Sequence, residues 1–226
     1  MADKILITAH SGSDGTPDNS LECVRYALTT GADALEIDVR AQPDGTLSLG
    51  HDSTDASAPT LREVFRLAAA VPGIKVNCDL KERGLEQAVC TLAEQCGMKG
   101  RIIFSGSVDV DTFNKHPELH ECAEIYLNIE EYVPDLYVKY RDIPDFELEA
   151  AAAIAEVCRA HEISTVNMYQ GIITRRFIHT LVENGLSLSA WTVSEEPTLA
   201  WFLSTEVRNI TTRKPALALK MRAEAK

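Results

Sequence analysis

Six residues ahead of position 82 carry side chains that do proton, metal or phosphate chemistry: His10, Glu36, Asp38, His51, Asp79 and Lys81. Glu36 and Asp38 are two positions apart, and so are Asp79 and Lys81. In an extended strand, residues i and i+2 face the same side, so each pair projects together. Two carboxylates aimed at one spot repel unless one is protonated or a cation lies between them. Glu36, Asp38 and Asp79 together suit a hard divalent cation such as Mg2+ or Ca2+. Two flanking histidines suit general acid and base roles. A lysine beside a cation site suits charge neutralisation of a phosphate. One strand-end acid is ordinarily a solvated or salt-bridged residue, but six such groups in three consecutive units point to a site. The remaining histidines, His116, His120, His161 and His179, have no such setting and read as surface or core residues.

The elements that would position these groups alternate strand and helix. β-type runs fall at Lys4–His10, Ala34–Arg40, Lys75–Lys81, Arg101–Gly106, Cys122–Ile129, Thr165–Tyr169, Leu186–Val193 and Val207–Thr212. Helical spacing follows from Asn19, Leu61–Ala70, Leu85–Cys96, Val108–Lys115, Glu147–His161, Thr174–Asn184, Glu196–Leu203 and Pro215 onward. A turn at Pro43-Asp44-Gly45 makes a hairpin of the second run and Thr46–Asp52, which ends in His51-Asp52. A polar stretch rich in Tyr, Pro and Asp bridges to the helix at Glu147. Repeated β-α-β order implies parallel strands with right-handed crossovers, and eight units are what a (β/α)8 TIM barrel requires. The competing open doubly wound sheet lacks a G-x-G-x-x-G after its first strand. No linker or composition break marks a second domain, so residues 1–226 read as one compact α/β barrel. In it the six groups lie at C-terminal strand ends, where barrel chemistry is built. Leu35, Ile37 and Val39 would face the helices, and Glu36 and Asp38 the mouth.

Composition narrows the function. There are 22 Lys plus Arg against 34 Asp plus Glu, a formal net charge of -12, and 45% hydrophobic residues. That is a globular balance, and the acidity argues against nucleic acid or anionic lipid as partner. It leaves room for one small anionic substrate at a locally positive spot. The N-terminus lacks a basic segment followed by a long apolar one, and no window approaches a membrane span, so neither leader nor membrane anchor is expected. Six cysteines without a C-x-x-C pair read as reduced core thiols of a cytoplasmic protein.

At these same residues the sequence resembles the glycerophosphodiester phosphodiesterase family. Its H-R-G, P-E-N-T, G-A-D-x-x-E-x-D and H-D motifs correspond to His10-Ser11-Gly12, Pro17-Asp18-Asn19-Ser20, Gly31-Ala32-Asp33 with Glu36 and Asp38, and His51-Asp52. Pro59-Thr60-Leu61 with Glu63, Asp79-Leu80-Lys81, Trp191-Thr192-Val193 and Ile210-Thr211-Thr212 before Pro215 look like the family's P-T-L-x-E, E-x-K, W-T-V and I-T-x-x-x-P. The match is weakest between Cys122 and Ile163. The resemblance implies a TIM barrel that hydrolyses glycerophosphodiesters to glycerol 3-phosphate and an alcohol. It implies Glu36, Asp38 and Asp79 as ligands of one divalent cation, and His10 and His51 as the acid/base pair. Lys81 would contact the phosphate and Trp191 would line the substrate pocket.

Three departures stand out. The family's arginine after the first histidine is Ser11 here, so one hydroxyl replaces a bidentate fork, leaving the cation, Lys81 and Arg213 to hold phosphate. The third carboxylate is Asp79 rather than Glu. Only Ser53–Ala58 separates Asp52 from Pro59, so the family's insertion is nearly absent and the site should be open on that side. Ser11 also motivates a competing reading, a non-catalytic or repurposed barrel that binds a phosphorylated ligand. A different metal-dependent barrel lyase or isomerase is a third, opposed by the order of the motifs.

Overall fold

The computed structural model describes residues 4–133, 136 and 146–224. Eight strands run parallel and close on themselves: β1 (Leu6–Ala9), β2 (Ala34–Ala41), β4 (Lys75–Leu80), β5 (Ile102–Gly106), β6 (Ala123–Asn128), β7 (Thr165–Tyr169), β8 (Ser187–Trp191) and β9 (Asn209–Thr212). Each pairs with its neighbour in chain order, and β1 pairs with both β2 and β9 to complete the barrel. The hairpin strand β3 (Leu47–Leu49) lies outside this ring, antiparallel to β2. It is shorter than the run expected from sequence, and His51-Asp52 lie in a bend beyond it. The helices are α1 (Leu21–Thr30), α2 (Leu61–Ala69), α3 (Glu86–Gln95), α4 (Val110–Lys115), α5 (Phe146–Ala160), α6 (Arg175–Glu183), α7 (Glu196–Leu203) and α8 (Pro215–Glu224). Most of the polar stretch before α5 falls outside the described residues.

Strand alternation sorts the side chains. Leu35, Ile37 and Val39 turn outward into the core shared with helix residues such as Val24, Ala27, Val64, Phe65 and Ala68. The lumen is polar over much of its height. Thr8 donates to Asn209 Oδ1 at 2.8 Å, Asn209 donates to Ser189 Oγ at 2.9 Å, and Asn167 donates to Asn128 Oδ1 at 2.8 Å. A small apolar layer of Ala34, Ile103 and Tyr126, separate from the outer core, plugs it nearer the N-terminal end.

Helix starts follow the sequence signals. Ser20 Oγ accepts the Cys23 N–H, Thr60 and Glu63 form a reciprocal capping box, and Thr174 Oγ1 accepts the Phe177 N–H. The first helix begins at Leu21 rather than Asn19. Ser20 caps it, and Asn19 turns away at φ +49°.

Closure at the bottom depends on Asp33. Its carboxylate accepts the Ile7 N–H at 2.9 Å and Lys4 Nζ at 2.7 Å, and it also pairs with Arg222 of α8. Arg222 donates in addition to the Ile5 carbonyl at 2.7 Å, so one cluster ties β1 and the last helix to the segment entering β2. Burial opposes ionisation of Asp33, but bonds from Lys4, Arg222 and the Ile7 amide outweigh it and hold the carboxyl below its ordinary value. Asp33→Asn is therefore expected to lower stability by about 1–3 kcal/mol in urea unfolding at pH 7. The native pKa is depressed, so the contribution is complete above about pH 4 and is lost as pH falls through the native value. The gap between wild type and variant should narrow in acid; a gap that widens there would contradict the assignment.

Candidate active site

A cavity of about 500 Å³ opens where the C-terminal ends of the strands meet. It is lined by His10, Glu36, Asp38, His51, Asp79, Lys81, Trp191 and Arg213, which are eight of the nine residues singled out from sequence; Ser11 is the ninth. They come from β2, β4 and β8, from the first residues past the ends of β1, β4 and β9, and from the bend after β3.

Strand register brings the carboxylates together. Asp38 on β2 is the direct neighbour of Asp79 on β4, and Glu36 is one inward step below. Glu36, Asp38 and Asp79 each offer an oxygen within 4.8 Å of the other two, and they form the one such trio among the described residues. Three oxygen donors at that spacing, two of them buried, fit a hard divalent cation. Burial, with Asp38 and Asp79 adding to it, pushes the Glu36 carboxyl up to about 7 against the opposing pull of His10. Asp38 is held below its usual range. Burial works against this, but Asn19 Nδ2 donates to it at 2.7 Å and Lys81 Nζ lies 2.8 Å away. Lys81 also pairs with Asp79, and although burial pulls the ammonium down, the two acids raise its pKa above that of a free lysine. Ser105 Oγ donates to the second oxygen of Asp79 at 2.7 Å.

The histidines are oriented through one nitrogen each. His10 Nδ1 lies 2.7 Å from the Ser11 carbonyl and 3.6 Å from Glu36 Oε2. A carbonyl only accepts, so Nδ1 carries the proton and Nε2 is the basic nitrogen. His51 Nδ1 lies 2.7 Å from Asp52 Oδ1, which assigns the same tautomer, and Arg40 Nε holds the His51 carbonyl at 2.9 Å. Trp191 stands at the end of β8, its ring 5.8 Å from that of Tyr169. The short 53–58 segment leads almost directly into α2, and it adds no residue to the lining beyond His51 just before it.

Ser11 does not line the cavity. It is buried; its hydroxyl accepts the Asn19 N–H at 2.6 Å and its own N–H donates to Glu36 Oε2 at 2.9 Å. The hydroxyl braces the loop rather than replacing a phosphate fork. Asn19, which the sequence shows only as part of a motif, is a clamp: Nδ2 binds the Asp38 carboxylate and Oδ1 accepts the Asp38 N–H at 3.0 Å. Asn77, Ser105, Asn128 and Asn167 also line the cavity, and sequence reasoning missed them. The period-2 rule could have found Asn77, two positions before Asp79 on the same strand.

No protein-family model matches the sequence. A glycerophosphodiester phosphodiesterase of Bacillus altitudinis is 24% identical over 263 aligned positions, spanning 97% of this chain and 99% of its own length. Along nearly its whole length the chain is similar to this glycerophosphodiester phosphodiesterase. Among solved structures, a putative glycerophosphoryl diester phosphodiesterase from Agrobacterium tumefaciens superposes with a TM-score of 0.79 at 17% identity, covering 99% of both chains. A phosphodiesterase from Oleispira antarctica, in complex with sn-glycerol-3-phosphate, gives 0.72 at 18% identity and 96% coverage of each. At these identities the superpositions establish the barrel.

The cation fit has a pH signature. A cation that takes the Glu36 oxygen must displace the proton that a carboxyl titrating near 7 retains in acid. Calorimetric affinity for Mg2+ or Ca2+ should fall about tenfold between pH 8 and pH 6, with proton release on binding matching one group. Glu36→Gln should abolish that pH dependence; an affinity flat with pH in the wild type would contradict a Glu36 carboxyl that must lose a proton to bind the cation.

Proposed function

We propose that this protein hydrolyses glycerophosphodiesters to glycerol 3-phosphate and an alcohol. The observation that carries the reading is the meeting, in one cavity, of two histidines with free Nε2 atoms and three clustered carboxylates. Glu36, Asp38 and Asp79 would hold one divalent cation, Mg2+ or Ca2+. When bound, that ion supplies charge neutralisation for the non-bridging phosphate oxygens. Similarity to the Bacillus altitudinis glycerophosphodiester phosphodiesterase and the glycerol 3-phosphate complex of the Oleispira antarctica phosphodiesterase support a small phosphate ester as substrate. Five of the six cysteines are buried thiols, which suits a reducing compartment and a cytoplasmic location.

In this reading one histidine, neutral, takes the proton of the attacking hydroxyl at Nε2, and the other, entering the step as the imidazolium, gives its Nε2 proton to the leaving alkoxide. The Ser11 carbonyl and the Asp52 carboxylate hold each ring in its tautomer and stabilise the imidazolium that forms. Lys81, between Asp38 and Asp79, offers its remaining donor capacity to the phosphate and helps to hold Asp38 ionised. Asn19 and Ser105 fix the carboxylate oxygens so that they need not reorganise. Trp191 forms an apolar wall for the substrate's carbon skeleton.

His10→Ala and His51→Ala are each expected to lower kcat by about 100-fold or more. Steady-state assay with glycerophosphocholine, glycerophosphoethanolamine and a chromogenic phosphodiester, with and without added metal, checks this. Wild-type kcat in either variant would remove that histidine from the chemistry. Silence of the metal-loaded wild type with all three substrates would favour a phosphate-binding barrel instead. A 2-deoxy glycerol analogue separates water attack from attack by the neighbouring hydroxyl, since full turnover requires water.

A further inference from the structure

We infer that Arg213, at the far end of the chain, provides the guanidinium fork that grips the substrate phosphate. The inference rests on the phosphodiester reading above. It starts from a shortage of positive charge. Of the residues lining the cavity, the permanent cations are Lys81 and Arg213. Lys81 is already shared between two carboxylates, Asp38 and Asp79. Arg213 is paired with one, Asp18, at 2.8 Å through Nη1, and is about half exposed. That single contact leaves Nε and Nη2 with donors for an incoming anion.

Position and support agree with this use. Arg213 immediately follows β9, the last barrel strand, and the loops after the final strands are where barrels commonly seat phosphate. Its backbone is fixed on both sides: its N–H donates to Ser194 Oγ at 3.1 Å, and its carbonyl accepts the Asp14 N–H at 2.8 Å. The guanidinium and Asp18 lie directly over Gly12. A Cβ at Gly12 would meet Asp18 Oδ1 at 2.1 Å and Arg213 Nη1 at 2.5 Å, and Gly12 sits at φ +75°. The turn after His10 is thus cut away to admit an arginine arriving from the other end of the chain. A fork presents two parallel donors to a phosphate where a lysine presents a point charge.

The test uses the full-length protein with Mg2+. Wild type, Arg213→Gln, Arg213→Lys and, as a neighbouring-charge control, Lys214→Gln are compared. The readouts are KM, kcat and the calorimetric Kd of glycerol 3-phosphate. Arg213→Gln should weaken glycerol 3-phosphate binding about tenfold or more and raise KM, and Arg213→Lys should recover only part of the loss. Lys214→Gln should change neither. In the wild type, titration with glycerol 3-phosphate should shift the Arg213 Nε–H resonance, a measurement that does not depend on any variant folding. A Kd within twofold of wild type in folded Arg213→Gln, or an Nε–H resonance that does not move at saturation, overturns the assignment. If the wild type turns over no glycerophosphodiester yet its glycerol 3-phosphate Kd depends on Arg213, the function fails and the phosphate contact stands. Normal turnover that is unchanged in Arg213→Gln leaves the function standing and removes the phosphate contact.

Discussion

The convergence of three carboxylates at one end of the lumen is the constraint around which the rest of this structure is arranged. Glu36, Asp38 and Asp79 come within 4.8 Å of one another in a place that is mostly shielded from water. Like charges there are unfavourable without neutralisation. The fold supplies it piecemeal: a backbone N–H from Ser11, an amide from Asn19, a hydroxyl from Ser105 and the ammonium of Lys81. Burial, with repulsion from Asp38 and Asp79 added to it, still leaves the Glu36 carboxyl raised to about 7. A divalent cation removes that remaining repulsion and is the natural complement to the arrangement.

The same constraint explains the loop after β1. His10, Ser11 and Asn19 are each tied to the carboxylate pair on β2 by a contact: the His10 ring lies 3.6 Å from Glu36, Ser11 bonds Glu36 and Asn19, and Asn19 bonds Asp38 twice. The loop's outer edge is carried by Gly12, Asp18 and Arg213, which join the first strand's exit to the last strand's exit. The barrel's two ends are therefore stitched by different chemistry. At the bottom, Asp33 gathers Lys4 and Arg222 for stability. At the top, the charges are left incompletely matched, and incomplete matching is what gives a site affinity for a cation and an anionic ester together.

Much of this is legible in the sequence because it rests on local periodicity. The strand runs, the order of helices and the shared facing of Glu36 with Asp38 and of Asp79 with Lys81 all follow from residue spacing. What is not legible depends on contacts across long separations or on the direction of one side chain. Ser11 reads as a shortened arginine, and only the three-dimensional loop turns its hydroxyl inward to the Asn19 amide. Arg213 and Asp18 are 195 residues apart, and no pattern along the chain announces that they meet. Single asparagines such as Asn77, Asn128 and Asn167 resemble any polar strand residue until the barrel closes and points them into one lumen. Helix α1 starts two residues later than its spacing suggests because Asn19 is committed to Asp38, and Ser20 caps instead.

The central claim is that the carboxylate trio and the two histidines are parts of one reaction centre. The measurement that bears on it most directly is a crystal structure of the protein grown with Ca2+ and glycerol 3-phosphate, with the ion located by its anomalous signal. The account predicts one ion about 2.3–2.6 Å from oxygens of Glu36, Asp38 and Asp79, with the phosphate beside it and the Nε2 atoms of His10 and His51 facing the phosphate. An ion held elsewhere, or a phosphate bound out of reach of both histidines, would contradict it.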